Sequence, residues 1–97
     1  MKATIDGKRY DTANCEHLAE YDRYSNGNYC GFSRLMLASN GVYLIQRDTN
    51  GQDGYYHDSL VLADHDAETP REFLEGIELD DKQEARLVEL GILKLVD

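Results

Sequence analysis

Residues 32–47 constrain the fold of this chain more than any other stretch. Two apolar runs, Phe32–Ala38 and Val42–Arg47, flank Ser39-Asn40-Gly41. Asn-Gly tolerates positive φ, so the pair between two β-prone runs reads as an antiparallel hairpin. Asp48–Gly54 is a polar, glycine-containing loop. Beyond it, Tyr55, Tyr56 and Ser59–Ala63 read as a third strand, with Leu60 and Leu62 on one face. Residues near the start alternate weakly over Ala3–Asp6, which predicts a short strand ending at Gly7.

Helix signals bracket this β region. Asp11 or Thr12 can cap a short N-terminal helix running to about Tyr21, with Cys15, Leu18 and Tyr21 facing inward. Ser25-Asn26-Gly27-Asn28 is turn chemistry. Thr69-Pro70-Arg71-Glu72 is a capping box: Thr69 accepts from the first turn, Pro70 fits the first helical position and Glu72 reaches back. That helix stops near Gly76. Asp80-Asp81-Lys82-Gln83 starts a second by the same logic, with Ala85, Val88 and Leu87 as inward candidates and Gly91 as its stop. Ile92–Val96 then reads as a last strand or an apolar tail. The expectation is one α+β domain over residues 1–97: a small antiparallel sheet, made of the central hairpin plus a third strand, with a short N-terminal helix and two C-terminal helices on one face.

Charge is distributed unevenly along this framework. The 97 residues carry a net charge of −9. Residues 1–47 hold six Lys/Arg and five Asp/Glu, whereas residues 48–97 hold four and fourteen. Nine of those acids are Asp64, Asp66, Glu68, Glu72, Glu75, Glu78, Asp80, Asp81 and Glu84, against only Arg71 and Lys82 in the same stretch. Acids in first turns favour the helix dipole, which accounts for part of the pattern. An ordinary exposed helix also interleaves bases at i+4, and here they are scarce. Such a surface repels nucleic acid directly and attracts basic protein surfaces. Carboxylates can also occupy a groove built for phosphates.

Other chemistries find little footing. From Asp64, acids fall at positions 1, 3, 5, 9 and 12 of a calcium-loop pattern, but position 6 is Thr69 where the loop needs glycine, and Pro70 follows. His17, His57 and His65 are scattered, and Cys15-Glu16-His17 offers two zinc ligands where three or four are required. There is no nucleophile motif, phosphate loop or dinucleotide fingerprint, so the chain is read as a non-enzyme without cofactor. Cys15 and Cys30 form no CxxC and are read as free thiols. Without a run of about 18 apolar residues or a signal-like start, the expected setting is the cytoplasm and not a membrane. Seven tyrosines and no tryptophan suggest Tyr10, Tyr21 and Tyr43 as core and Tyr55 and Tyr56 as anchors for a partner.

Gly7-Lys8-Arg9-Tyr10-Asp11-Thr12 with Ala19-Glu20-Tyr21, the turn at Asn40-Gly41-Val42-Tyr43-Leu44, and the helix Thr69-Pro70-Arg71-Glu72-Phe73-Leu74-Glu75 carry a resemblance. The chain resembles short acidic proteins of phages and mobile elements, and among them the anti-CRISPR inhibitors. It departs from their pattern in a more apolar Phe32–Ala38 and a longer Asp48–Gly54 loop. The resemblance implies an inhibitor in a bacterial host that binds a basic nucleic-acid-binding protein, a CRISPR effector subunit, and blocks its nucleic acid, with no nucleic acid bound directly. Asp64–Glu84 would then meet the partner's bases. The alternative is an interaction or regulatory module, or a homodimer, binding through a sheet edge or the Ile92–Val96 tail.

Overall fold

The computed structural model describes residues 1–49, 58–64 and 68–96. Ten-residue strands β3 (Glu16–Ser25) and β4 (Asn28–Leu37) form a long hairpin. β5 (Tyr43–Arg47) and β6 (Ser59–Leu62) extend it to a four-stranded antiparallel sheet in the order β3-β4-β5-β6. β1 (Lys2–Ile5) and β2 (Lys8–Asp11) form a separate two-stranded hairpin. Helices α1 (Pro70–Leu74) and α2 (Asp81–Glu89) complete the chain.

The sheet buries both faces, and strand alternation sorts residues between them. Leu35 and Ile45 face the helical layer, where they cluster with Leu18, Ala19, Phe73, Leu74 and Leu87. Met36, Leu44 and Leu60 face the other way and pack with Tyr10 of the β1–β2 hairpin. Full burial of side chains such as Phe73 or Leu87 contributes roughly 1.5–3 kcal/mol each. The result is an α+β arrangement of three layers: hairpin, sheet, helices.

The central hairpin forms as its sequence demands, with Leu37 opposite Tyr43. Its turn differs in detail. Ala38 N–H donates to the Val42 carbonyl at 2.8 Å, so the loop has three residues, and only Gly41, at φ 86°, is left-handed. This is the three-residue loop whose last position favours glycine. Leu60 is buried and Leu62 half-buried on the same face, as the alternation requires.

Both capping boxes form as read. Thr69 accepts from Glu72 N–H at 3.2 Å, and Asp80 accepts from Gln83 N–H at 2.7 Å. α2 ends with Gly91 at φ 79°, Gly91 N–H on the Val88 carbonyl and Ile92 N–H on the Leu87 carbonyl, both at 3.0 Å. That pattern brings Ile92 back onto Leu87. The inward residue of α2 is Leu87; Ala85 and Val88 lie exposed. Fixing the helix start at Asp80 sets a Gln83–Leu87–Leu90 stripe toward the sheet and leaves Ala85 outside it. Ile92 and Leu93 pack on the core, while Leu95 and Val96 project outward, and no final strand forms.

The N-terminal helix expected over residues 11–21 is not present. Asp11 does cap a turn, accepting from Ala13 N–H at 3.0 Å, but the turn is 3-10 and ends at Asn14. Glu16 onward is strand β3. Two observations explain the outcome. Asn26 and Gly27 both have positive φ, 52° and 82°, closing a two-residue hairpin that holds Ser25 against Asn28. Such a turn needs a strand on each side. The segment before it alternates, with Ala19 and Tyr21 inward and Glu20, Asp22 and Tyr24 outward. Asp6 (φ 51°) and Gly7 (φ 74°) make a second turn of this kind, so the first strand gains β2 as its partner.

A candidate cationic-ligand cleft along the edge of the sheet

β3 is the outer strand of the sheet, and α1 with the following residues Glu75–Glu78 lies beside its middle. Between them runs a cleft of about 410 Å³. Its floor is aromatic: the Tyr21 and Phe73 rings meet at 5.4 Å between centroids, tilted by 46°. Its walls carry Glu20, Glu68, Glu72, Glu75 and Glu78; no Lys or Arg among the described residues lines it, although Glu20 is paired from the neighbouring strand, accepting from Arg34 at 2.9 Å. Four of the five carboxylates come from the acidic stretch read in the sequence.

Local structure explains how they converge. The capping box fixes Glu72 at the first turn of α1, with Glu68 one residue before Thr69. α1 spans only residues 70–74. Gly76 at φ 74° turns the chain, so Glu75 and Glu78 fall on the cleft beside Glu72. Within a Debye length of about 8–10 Å such charges act on a ligand together.

A second cleft, of about 330 Å³, lies further along the same strand, between Glu16–Leu18 and the start of α2. It is partly neutralised. Arg86 Nε donates to Glu16 at 2.7 Å and its second terminal nitrogen donates to the other Glu16 oxygen at 2.9 Å. This forked bond holds the Glu16 carboxyl below its usual value and raises Arg86.

Of the remaining acids, the described ones do not line this cleft. Asp80 caps α2, and Asp81 and Glu84 sit in its first turn, positions that the helix dipole favours by itself. Asp64 follows β6, half-buried. Asp66, Tyr55 and Tyr56 lie outside the described residues. Sequence reading missed Glu20, Tyr21 and Glu16 as cleft residues because it wound them into a helix; the Asn26-Gly27 turn was the signal that placed them on a strand. Tyr10, Tyr21 and Tyr43 belong to the cores, as expected, and Tyr10 Oη accepts from Asn40 at 3.1 Å.

Other chemistry is not assembled. Among the described residues no group of three or more His, Cys, Asp or Glu is placed to hold a metal ion. Glu72, which a calcium loop would need at position 9, is engaged with Thr69 in the helix cap instead. Cys15 and Cys30 are not joined in a disulfide. Burial, reinforced by Asp11, raises the Cys15 thiol, the opposite of what a nucleophile requires. No helix among the described residues is long and apolar enough to cross a membrane. No protein-family model, curated protein or solved structure matches this chain.

Proposed function

We propose that this chain is a non-enzymatic inhibitor that occupies a basic, nucleic-acid-binding surface of a partner protein. The observation that carries the reading is the gathering of Glu68, Glu72, Glu75 and Glu78 around one cleft that no Lys or Arg of the described residues lines, beside a Glu20 already paired with Arg34. Like charges placed together cost stability unless something uses them, and a cationic surface is what they attract. The resemblance to small anti-CRISPR inhibitors supports a CRISPR effector subunit, acting in a bacterial cytoplasm, as that partner. Charge pairing at the rim of such a contact governs on-rate and salt sensitivity.

The test uses the double variant Glu75→Lys, Glu78→Lys. Both side chains are exposed and neither side chain takes part in a helix cap, unlike those of Glu72 and Asp80; Glu75 closes α1 through its backbone N–H alone. Purified CRISPR effector complexes are assayed for DNA binding with wild type and variant at about 50 and 200 mM salt. Wild type should block DNA binding more weakly at the higher salt, and the variant should lose at least about tenfold in potency. Equal inhibition by a folded variant would refute the electrostatic reading, and no inhibition by wild type of any effector class would refute the partner.

A further inference from the structure

The acidic cleft does not lie on a smooth surface; it follows the free side of β3. β3 pairs only with β4 among the described strands, so its other row of backbone N–H and C=O groups has no strand partner. Glu16, His17 and Leu18 line one of the two clefts beside this edge, and Glu20 and Tyr21 line the other. The result is a trough along an open strand edge.

Such edges invite a second copy, and this one is built to refuse it. Register shifts between His17 and Ala19 and between Asp22 and Tyr24 break the strand, leaving Ala19–Asp22 as its regular stretch. Bulges and edge charges are the usual devices against self-pairing. Asp22 on the strand and Glu72, Glu75 and Glu78 beside it repel another copy of a chain carrying −9, while Glu20 is already paired with Arg34. The same charges attract a cationic strand.

We infer that the β3 edge at Glu20–Asp22 takes an extended segment of the partner as a fifth strand, with Lys or Arg at every second position. This rests on the proposed function and specifies its mode of contact. Side chains of an added strand alternate between faces. Those on the helical side pass over Tyr21 and Phe73, whose rings suit the aliphatic stem of a lysine, and end among Glu72, Glu75 and Glu78. The uncharged side chains between them fall on the other face, beside Asp22 and the Glu20–Arg34 pair. Backbone hydrogen bonds supply affinity and the charges supply selectivity, as in other strand-addition complexes.

The probe is the acetylated heptapeptide Lys-Thr-Lys-Thr-Lys-Thr-Lys, compared with the same peptide N-methylated at its three central residues. Methylation keeps the charge and removes the strand-forming N–H groups. Binding is followed by isothermal calorimetry at low salt and by amide exchange of the protein. The unmodified peptide should bind about tenfold or more tightly than the methylated one and slow exchange at outward-facing amides of Glu20–Asp22. Equal binding of both peptides without protection of β3 would overturn strand addition while leaving the charge reading to its own Glu75/Glu78 test. Absence of binding by either peptide would also overturn it.

Discussion

Gly31→Ala probes the part of the fold that ties β3, β4 and the end of β5 together. Gly31 sits in β4 at φ 103°, outside the regions that residues with a Cβ readily adopt. A Cβ built there overlaps the Asp48 carbonyl and crowds the Arg23 guanidinium at 3.1 Å. Arg23 donates to that same Asp48 carbonyl, and Asp48 N–H donates to Phe32 at 2.9 Å. The substitution therefore imposes backbone strain of about 1–3 kcal/mol. It also displaces a charge-assisted hydrogen bond worth about 1.5–3 kcal/mol. Allowing for partial relaxation, the expected loss is about 3 kcal/mol, out of a total stability of about 5–15 kcal/mol for a typical domain. At roughly 4–8 °C per kcal/mol this lowers the melting temperature by about 12–24 °C. Gly27→Ala is the control: Gly27 has φ 82° but open space around it, so only the backbone term applies, about 1–2 kcal/mol. Urea unfolding followed by circular dichroism measures both. If Gly31→Ala costs no more than Gly27→Ala, the close approach of β4 to Asp48 does not constrain this fold.

Ser33 is fully buried on the helical face of β4, and its Oγ has no hydrogen-bond partner among the described residues. Ser33→Ala should therefore be neutral or stabilise by up to about 1 kcal/mol in the same urea assay, and a clear loss would show that the hydroxyl is satisfied. Glu16 has its folded pKa depressed by Arg86, so its contribution is present above the ordinary value of 4.5 and fades as pH falls below it. Thermal melts across that range should show a smaller acid-induced drop for Glu16→Gln than for wild type, and an equal drop would remove the ion pair from the account. Both side chains are partly exposed, so the effect is small and screened by salt. Leu95 and Val96 are 61% and 89% exposed. Replacing both by serine should change stability by less than about 0.5 kcal/mol, and a larger loss would place the tail in the core.

Much of this architecture was legible in the chain because its signals were local. Asn40-Gly41 between apolar runs specified the central hairpin. Thr69-Pro70-Arg71-Glu72 and Asp80–Gln83 specified two helix starts, and Gly91 one stop, because caps answer to backbone groups within four residues. The clustering of acid in the second half was likewise plain, and four of those glutamates line the cleft. Reading Asp11 as a cap was also right, yet it led to a helix that is absent. A helix cap opens only a turn unless the following residues prefer to continue it. From Glu16 they found a better partner in β4.

What the sequence determined alone was therefore the set of local stops and starts and the sign of the charge. Which residues meet was decided by pairing across the chain. Glu20 and Tyr21 join Glu72, Phe73, Glu75 and Glu78 only because β3 takes the edge of the sheet and α1 packs beside it. Gly31 is required only because Asp48 passes over it. Those contacts span 17 to 58 residues in sequence. No local propensity encodes them; burial of the two sheet faces selects them, since a one-residue slip of register would turn each face inside out.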